Sequence, residues 1–170
     1  MKKLTAPFLA VFTMVALFAQ PAVAEDNTVI YLVRHAEKLA ESDPGLTEQG
    51  IARAEALANL LQDAGIAQVY STDYKRTRMT AVPTATKSGV EVTLYDPRAL
   101  KAFADQLTAT AKSAKGNILV VGHSNTTPVL ANFLTNGDLP MLNEDQYDHL
   151  YVVRQAENGS LKAKIEYFNP

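Results

Sequence analysis

Two histidines in this chain stand where an apolar run ends. Thr28 to Val33 reads Thr-Val-Ile-Tyr-Leu-Val and stops at Arg34-His35; Ile118-Leu119-Val120-Val121 stops at Gly122-His123. Both runs are β-branched and nearly uninterrupted, the pattern of strands buried on both faces. In open α/β sheets ligands bind beyond the carboxyl ends of the strands, so both histidines are placed to meet one. A lone histidine at a strand end is most often an ordinary surface residue, but these two have company. Arg34 precedes the first, and the second opens His-Ser-Asn-Thr-Thr, a cluster of small and hydrogen-bonding side chains. Arg76 and Arg78 follow a third strand end, at the start of a helix. Arginine's rigid fork of donors matches phosphate oxygens, and a helix amino terminus favours the same anion. Cations there oppose the helix dipole, a placement that a bound anion or an acidic partner would offset.

The elements that must hold these residues alternate between short apolar runs and helix-length segments, the pattern of helices covering a mostly parallel sheet. After Pro44-Gly45, Thr47 is placed to cap a helix whose Ile51, Ala54, Ala58 and Leu61 share one face and which Gly65 closes. A brief strand spans Gln68 to Ser71, and a helix from about Asp73 to Lys87 ends at Gly89. Pro83 lies inside it and cannot donate a backbone hydrogen bond, which predicts a kink or an early end. Val90 to Tyr95 reads as a strand, and Leu100, Phe103, Leu107 and Ala111 have helical spacing. Pro128 suits the first turn of a further helix that ends near Gly137. A polar loop, Asp138 to Asp148, leads to the strand Leu150 to Arg154, and Asn158-Gly159 is a hairpin turn joining it to Leu161 to Tyr167. The expected fold is therefore a three-layer α/β/α sandwich with a mostly parallel mixed sheet.

Composition narrows the class. Met1-Lys2-Lys3, a run without charge from Leu4 to Ala24 and the ending Ala22-Val23-Ala24 describe a secretory signal peptide over 1–24, leaving 25–170 as a single domain. The setting that follows is bacterial and periplasmic or secreted, with no stable membrane insertion after cleavage. The 16 basic and 18 acidic side chains lack the footprint of a nucleic-acid binder. No cysteine is available as thiol nucleophile or ligand, and three histidines make a buried metal site an unexpected feature. No cofactor is expected.

Three blocks carry a family resemblance. Val33-Arg34-His35-Ala36-Glu37-Lys38 resembles the Arg-His-Gly/Ala-Glu signature of the histidine phosphatase superfamily, also called phosphoglycerate mutase-like. Ser71-Thr72-Asp73-Tyr74-Lys75-Arg76-Thr77-Arg78 is similar to its second block, and Val121-Gly122-His123-Ser124-Asn125 to its third. The resemblance implies a phosphate pocket of Arg34, His35, Arg76 and His123, with His35 attacking phosphorus to form a phosphohistidine that water then hydrolyses. A neutral imidazole suits that role, its second nitrogen being held by a backbone carbonyl. It also implies a phosphomonoesterase that needs no metal, acting on a small phosphorylated molecule or a phosphoprotein. Ser124 and Asn125 would add donors at the rim, Glu37 would orient an arginine or contact substrate, and Lys38 would reach a second anionic group.

The chain departs from the family pattern at the proton donor. The Glu-x-x-x-Gly-x-x-Glu-Gly-like stretch that supplies a glutamate in many members is absent. Ser124 stands where the phytase-like branch places an aspartate. Asp96, after the strand Val90 to Tyr95, is the candidate general acid, with a helix-capping role before Pro97 as its alternative. Some small members that hydrolyse phosphohistidine do without an acid, and an anion-binding module without catalysis is a further alternative. The compact chain favours a hydrolase with an open pocket over a mutase. His149, without a phosphate-binding partner in sequence, is read as structural or exposed.

Overall fold

The computed structural model describes residues 28–113 and 115–170, so the signal peptide expected over 1–24 lies outside the described residues. Six strands form one sheet in the order β3-β2-β4-β1-β5-β6: β1 (Ile30–Arg34), β2 (Ile66–Ser71), β3 (Val92–Leu94), β4 (Asn117–Gly122), β5 (His149–Gln155) and β6 (Leu161–Tyr167). β1 to β4 are parallel, while β5 runs antiparallel to β1 and β6 antiparallel to β5. Four helices complete the domain: α1 (Glu48–Leu60), α2 (Lys75–Ser88), α3 (Leu100–Ala111) and α4 (Thr127–Thr135). The expected α/β/α sandwich with a mixed, mostly parallel sheet is the fold observed.

Strand alternation explains why β1 and β4 are apolar throughout. Ile30, Leu32, Ile118 and Val120 pack with Phe103, Leu107, Leu130 and Leu134 of α3 and α4. Their neighbours Tyr31, Val33, Leu119 and Val121 pack on the other face with Leu57, Ala81 and Ala85 of α1 and α2. Each strand thus buries both faces, as central strands of a helix-covered sheet must. On the area scale, a fully buried Leu or Ile side chain contributes roughly 1.5–3 kcal/mol.

Local signals act as expected at several ends. Thr47 caps α1, its hydroxyl accepting from Gly50 N at 3.1 Å. Gly89 takes a left-handed conformation to end α2, and Pro128 sits in the first turn of α4. Two differ. α2 passes through Pro83 and continues to Ser88, so the early end does not occur. Ala81 and Ala85 pack against the sheet on either side of that position, and Thr84 is buried with them. β3 is only three residues long, because just Val92 to Leu94 pair with β2 at this exposed sheet edge.

Candidate active site

The register of the sheet brings the two histidines together. β1 and β4 are parallel neighbours with Arg34 opposite Gly122, so both chains leave the sheet side by side. His35 N donates to Gly122 O at 2.9 Å, and the two imidazole centroids lie 5.6 Å apart. β2 flanks β4, with Ser71 opposite Val121, which sets Thr72 beside His123. α2 then starts over this rim and presents Arg76. Arg34, His35, Arg76 and His123 line a cavity of about 370 Å³ together with Lys38, Tyr74, Pro97, Arg98, Ser124, Asn125, Thr126 and Glu144.

Each imidazole has one fixed edge. His35 is 3% exposed, and its Nδ1 lies 2.8 Å from the carbonyl oxygen of Ala36. An acceptor there requires the proton on Nδ1, which leaves the Nε2 lone pair free. Burial, opposed by the Ala36 hydrogen bond and aided by the charges of Arg34 and Arg76, lowers the His35 pKa from 6.5 to about 3. The ring is thus neutral near pH 7, and hence nucleophilic. His123 is pinned by Thr72 Oγ1, 2.9 Å from its Nε2. Thr72 in turn donates to Thr77 Oγ1, which donates to the carbonyls of Thr72 and Tyr74. This chain makes Nε2 the protonated nitrogen of His123, and Nδ1 accepts a long contact of 3.4 Å from Arg76 Nη2. Burial, then Arg76 and Arg34, lowers the His123 pKa to about 4.

The arginines are held by acidic and aromatic partners. Arg76 stacks 4.7 Å from the Tyr74 ring and lies 3.9 Å from Asp43, whose carboxylate also accepts from Lys75 N at 3.0 Å. Asp43 therefore caps α2 from a distant loop and offsets the cations at its first turn. Arg78 pairs instead with Asp73 and faces away, toward an apolar cleft between α1 and α2. Arg34 donates through Nη1 to the carbonyls of Asn143 and Glu144, both at 2.9 Å, and through Nη2 to the Glu144 carboxylate at 3.0 Å. Its guanidinium lies 4.1 Å from the Tyr147 ring. Nε of Arg34 and Nε of Arg76 are buried without a protein partner, leaving a donor on each.

Other expected residues fall differently. Lys38, Ser124 and Asn125 line the cavity. Glu37 does not: it forms a bidentate pair with Arg53, at 2.8 to 3.0 Å, and contact with substrate is corrected to orienting an arginine. Arg53 also donates to Phe168 O, tying α1 to the carboxyl end of the chain. Asp96 borders a separate cleft with Tyr95 and Phe103. Its carboxylate accepts from Arg98 Nε and Nη2, both at 2.9 Å, and the Arg98 hydrogen bonds hold its pKa below the ordinary carboxylate value. It also accepts from Arg98 N, the turn-capping geometry. His149 pairs with Asp148 at 2.8 Å and packs on Tyr167, outside the cavity. Glu144 was not singled out in sequence. Antiparallel β5 starts at the rim where β1 ends, so the polar loop leading into it had to cross this rim.

Comparison with known proteins agrees with this geometry. The model of the histidine phosphatase superfamily (branch 1) matches residues 30–98. Homology supports membership of the histidine phosphatase superfamily. Among curated proteins, the probable phosphoglycerate mutase GpmB of Erwinia tasmaniensis is 40% identical over 77 residues, covering 41% of this chain and 35% of that protein. GpmB of Yersinia pestis (strain Pestoides F) is 38% identical over the same length. The chain thus spans about a third of the length of these relatives. In fold it is similar to the protein histidine phosphatase SixA complexed with tungstate, with a TM-score of 0.69 at 17% identity, covering 81% of this chain and 94% of SixA. A mycobacterial glucosyl-3-phosphoglycerate phosphatase superposes with a TM-score of 0.65 at 13% identity, covering 84% and 98%. Among the described residues, no group of three or more His, Cys, Asp or Glu is placed to hold a metal ion. No helix among them is long and apolar enough to cross a membrane.

Proposed function

We propose that this chain is a phosphatase that hydrolyses a phosphomonoester through a phosphohistidine on His35. The observation that carries the reading is the neutral His35 ring, pinned through Nδ1 at the floor of a cavity that Arg34, Arg76 and His123 also line. Nε2 attacks phosphorus, the bond to the leaving oxygen breaks, and the equatorial oxygens are bound by Arg34 and Arg76. His123, its Nε2–H held by Thr72, lies beside them and orients the Arg76 guanidinium through Nδ1. Water then attacks the phosphohistidine, releasing phosphate and the neutral imidazole. The two guanidinium groups supply positive charge at the phosphoryl group, the task a metal ion performs elsewhere. The chain acts on a small phosphorylated molecule or a phosphoprotein, outside the cytoplasm if 1–24 is removed on export.

Asp96 bears on the choice of substrate. A carboxylate held ionised by Arg98 and bordering another cleft is a poor proton donor, which favours the second reading, hydrolysis of phosphohistidine on a protein, where the leaving nitrogen needs less help. The fold likeness to a protein histidine phosphatase supports the same reading. Turnover of p-nitrophenyl phosphate and of a phosphohistidine donor, with and without a chelator, tests both. We expect His35→Ala to lose at least ~10³-fold in kcat on either substrate while still binding vanadate, and the chelator to change nothing. Vanadate binding without any phosphate release by the wild-type protein would leave an anion-binding module.

A further inference from the structure

In-line displacement puts the leaving oxygen on the side of phosphorus opposite the nucleophile. His35 is 3% exposed, at the floor of the cavity, so the leaving group points to the mouth. The Glu144 side chain, 82% exposed, stands at that mouth. It is the carboxylate among the residues lining the cavity; Asp96 borders another cleft and Glu37 is committed to Arg53. Its main chain is anchored, because Glu144 O accepts from Arg34 Nη1, while its carboxylate rests lightly on Arg34 Nη2 and Ser124 Oγ, each at 3.0 Å.

We propose that Glu144 is the proton donor to the leaving oxygen and then the base for water, a proposal that rests on the phosphohistidine reading above. As Nε2 of His35 bonds to phosphorus, the phosphorus–oxygen bond breaks and its electron pair takes the proton of the Glu144 carboxyl, giving the alcohol. The resulting carboxylate removes a proton from water as that water attacks phosphorus. The phosphorus–nitrogen bond then breaks and restores His35, with inorganic phosphate released.

Substrate itself would load this acid. Ser124 and then Arg34 hold Glu144 below the ordinary carboxylate range. A phosphoryl dianion takes Arg34 as its partner and brings negative charge beside the carboxylate, and both changes favour the protonated form. The groups acting on Glu144 are Ser124 after β4, Arg34 at the end of β1 and Lys38 beyond it. The nearby His35 and His123 are neutral.

A series of aryl phosphates from p-nitrophenyl to phenyl, whose leaving phenoxides grow steadily more basic, tests the assignment in Glu144→Gln. The side chain is exposed, so the substitution leaves the fold intact, and circular dichroism checks it. The expected result is a loss in kcat/KM that grows along the series, reaching about 10²-fold for phenyl phosphate and less than a tenth of that factor for p-nitrophenyl phosphate. The alkaline fall of kcat on phenyl phosphate should also disappear. A uniform loss along the series, or a gain in activity, overturns the role of Glu144. Labelling of His35 separates the two claims: absence of label in the wild-type protein sinks the phosphohistidine reading, whereas normal label with a uniform loss sinks only the acid.

Discussion

His35 and His123 carry a stability consequence as well as a chemical one. Each titrates near 6.5 when unfolded, but at about 3 and about 4 when folded. Between those values the unfolded chain binds more protons, so their contribution is intact above pH 6.5 and is lost as pH falls toward 3. The loss at pH 4 is on the order of 3 kcal/mol per imidazole. Thermal unfolding from pH 7 to pH 4 should therefore show a steep fall in Tm for the wild-type protein, and a shallower one for His35→Gln. Equal slopes would mean that the imidazoles are not held neutral. At this scale the sequence was readable where chemistry and chain neighbours coincide: Arg34, His35, Arg76 and His123 all reach one cavity. It was unreadable where a partner far along the chain decides the role. Arg53, sixteen residues from Glu37, claims that carboxylate, and Arg98 claims Asp96.

Elements position the catalytic segment by close packing. α1 crosses the turn after β1 so tightly that a Cβ on Gly50 would lie 2.2 Å from Glu37 O and 3.0 Å from Glu37 N. Glu37 O is also the acceptor for Thr47 N at 2.9 Å, so this carbonyl cannot retreat without uncapping α1. Gly50→Ala is expected to cost about 1–3 kcal/mol and to lower kcat, since Glu37 is two residues from His35. Exposed Gln49→Ala, next to it, should stay within about 0.5 kcal/mol. Denaturant melts paired with turnover measure both; an unperturbed Gly50→Ala would show that α1 does not fix the segment. Helical periodicity and caps were legible in α1, but this approach was not, because a glycine inside a helix looks in sequence like a mere weak point. At Pro83 the rule for an isolated helix predicts a kink or an early end, and the early end does not occur where Ala81 and Ala85 pack on the sheet.

The whole molecule follows from two apolar runs buried on both faces. Their side-by-side parallel pairing makes the two histidines neighbours, and the antiparallel end of the chain returns a polar loop to the same rim. The layers and the mixed sheet could be read from periodicity and from Asn158-Gly159. The order of strands could not, since pairing of β1 with both β4 and β5 depends on contacts far apart along the chain. That order brings Glu144 to the cavity that His35 also lines. All of this serves one covalent intermediate, the proposed phosphohistidine on His35. Brief reaction with a ³²P-labelled substrate, quenching in alkaline detergent and peptide mapping should find acid-labile, alkali-stable phosphate on the peptide that contains His35, and none in His35→Ala. Turnover of the same substrate with label on another residue, or undiminished turnover by His35→Ala, would contradict it.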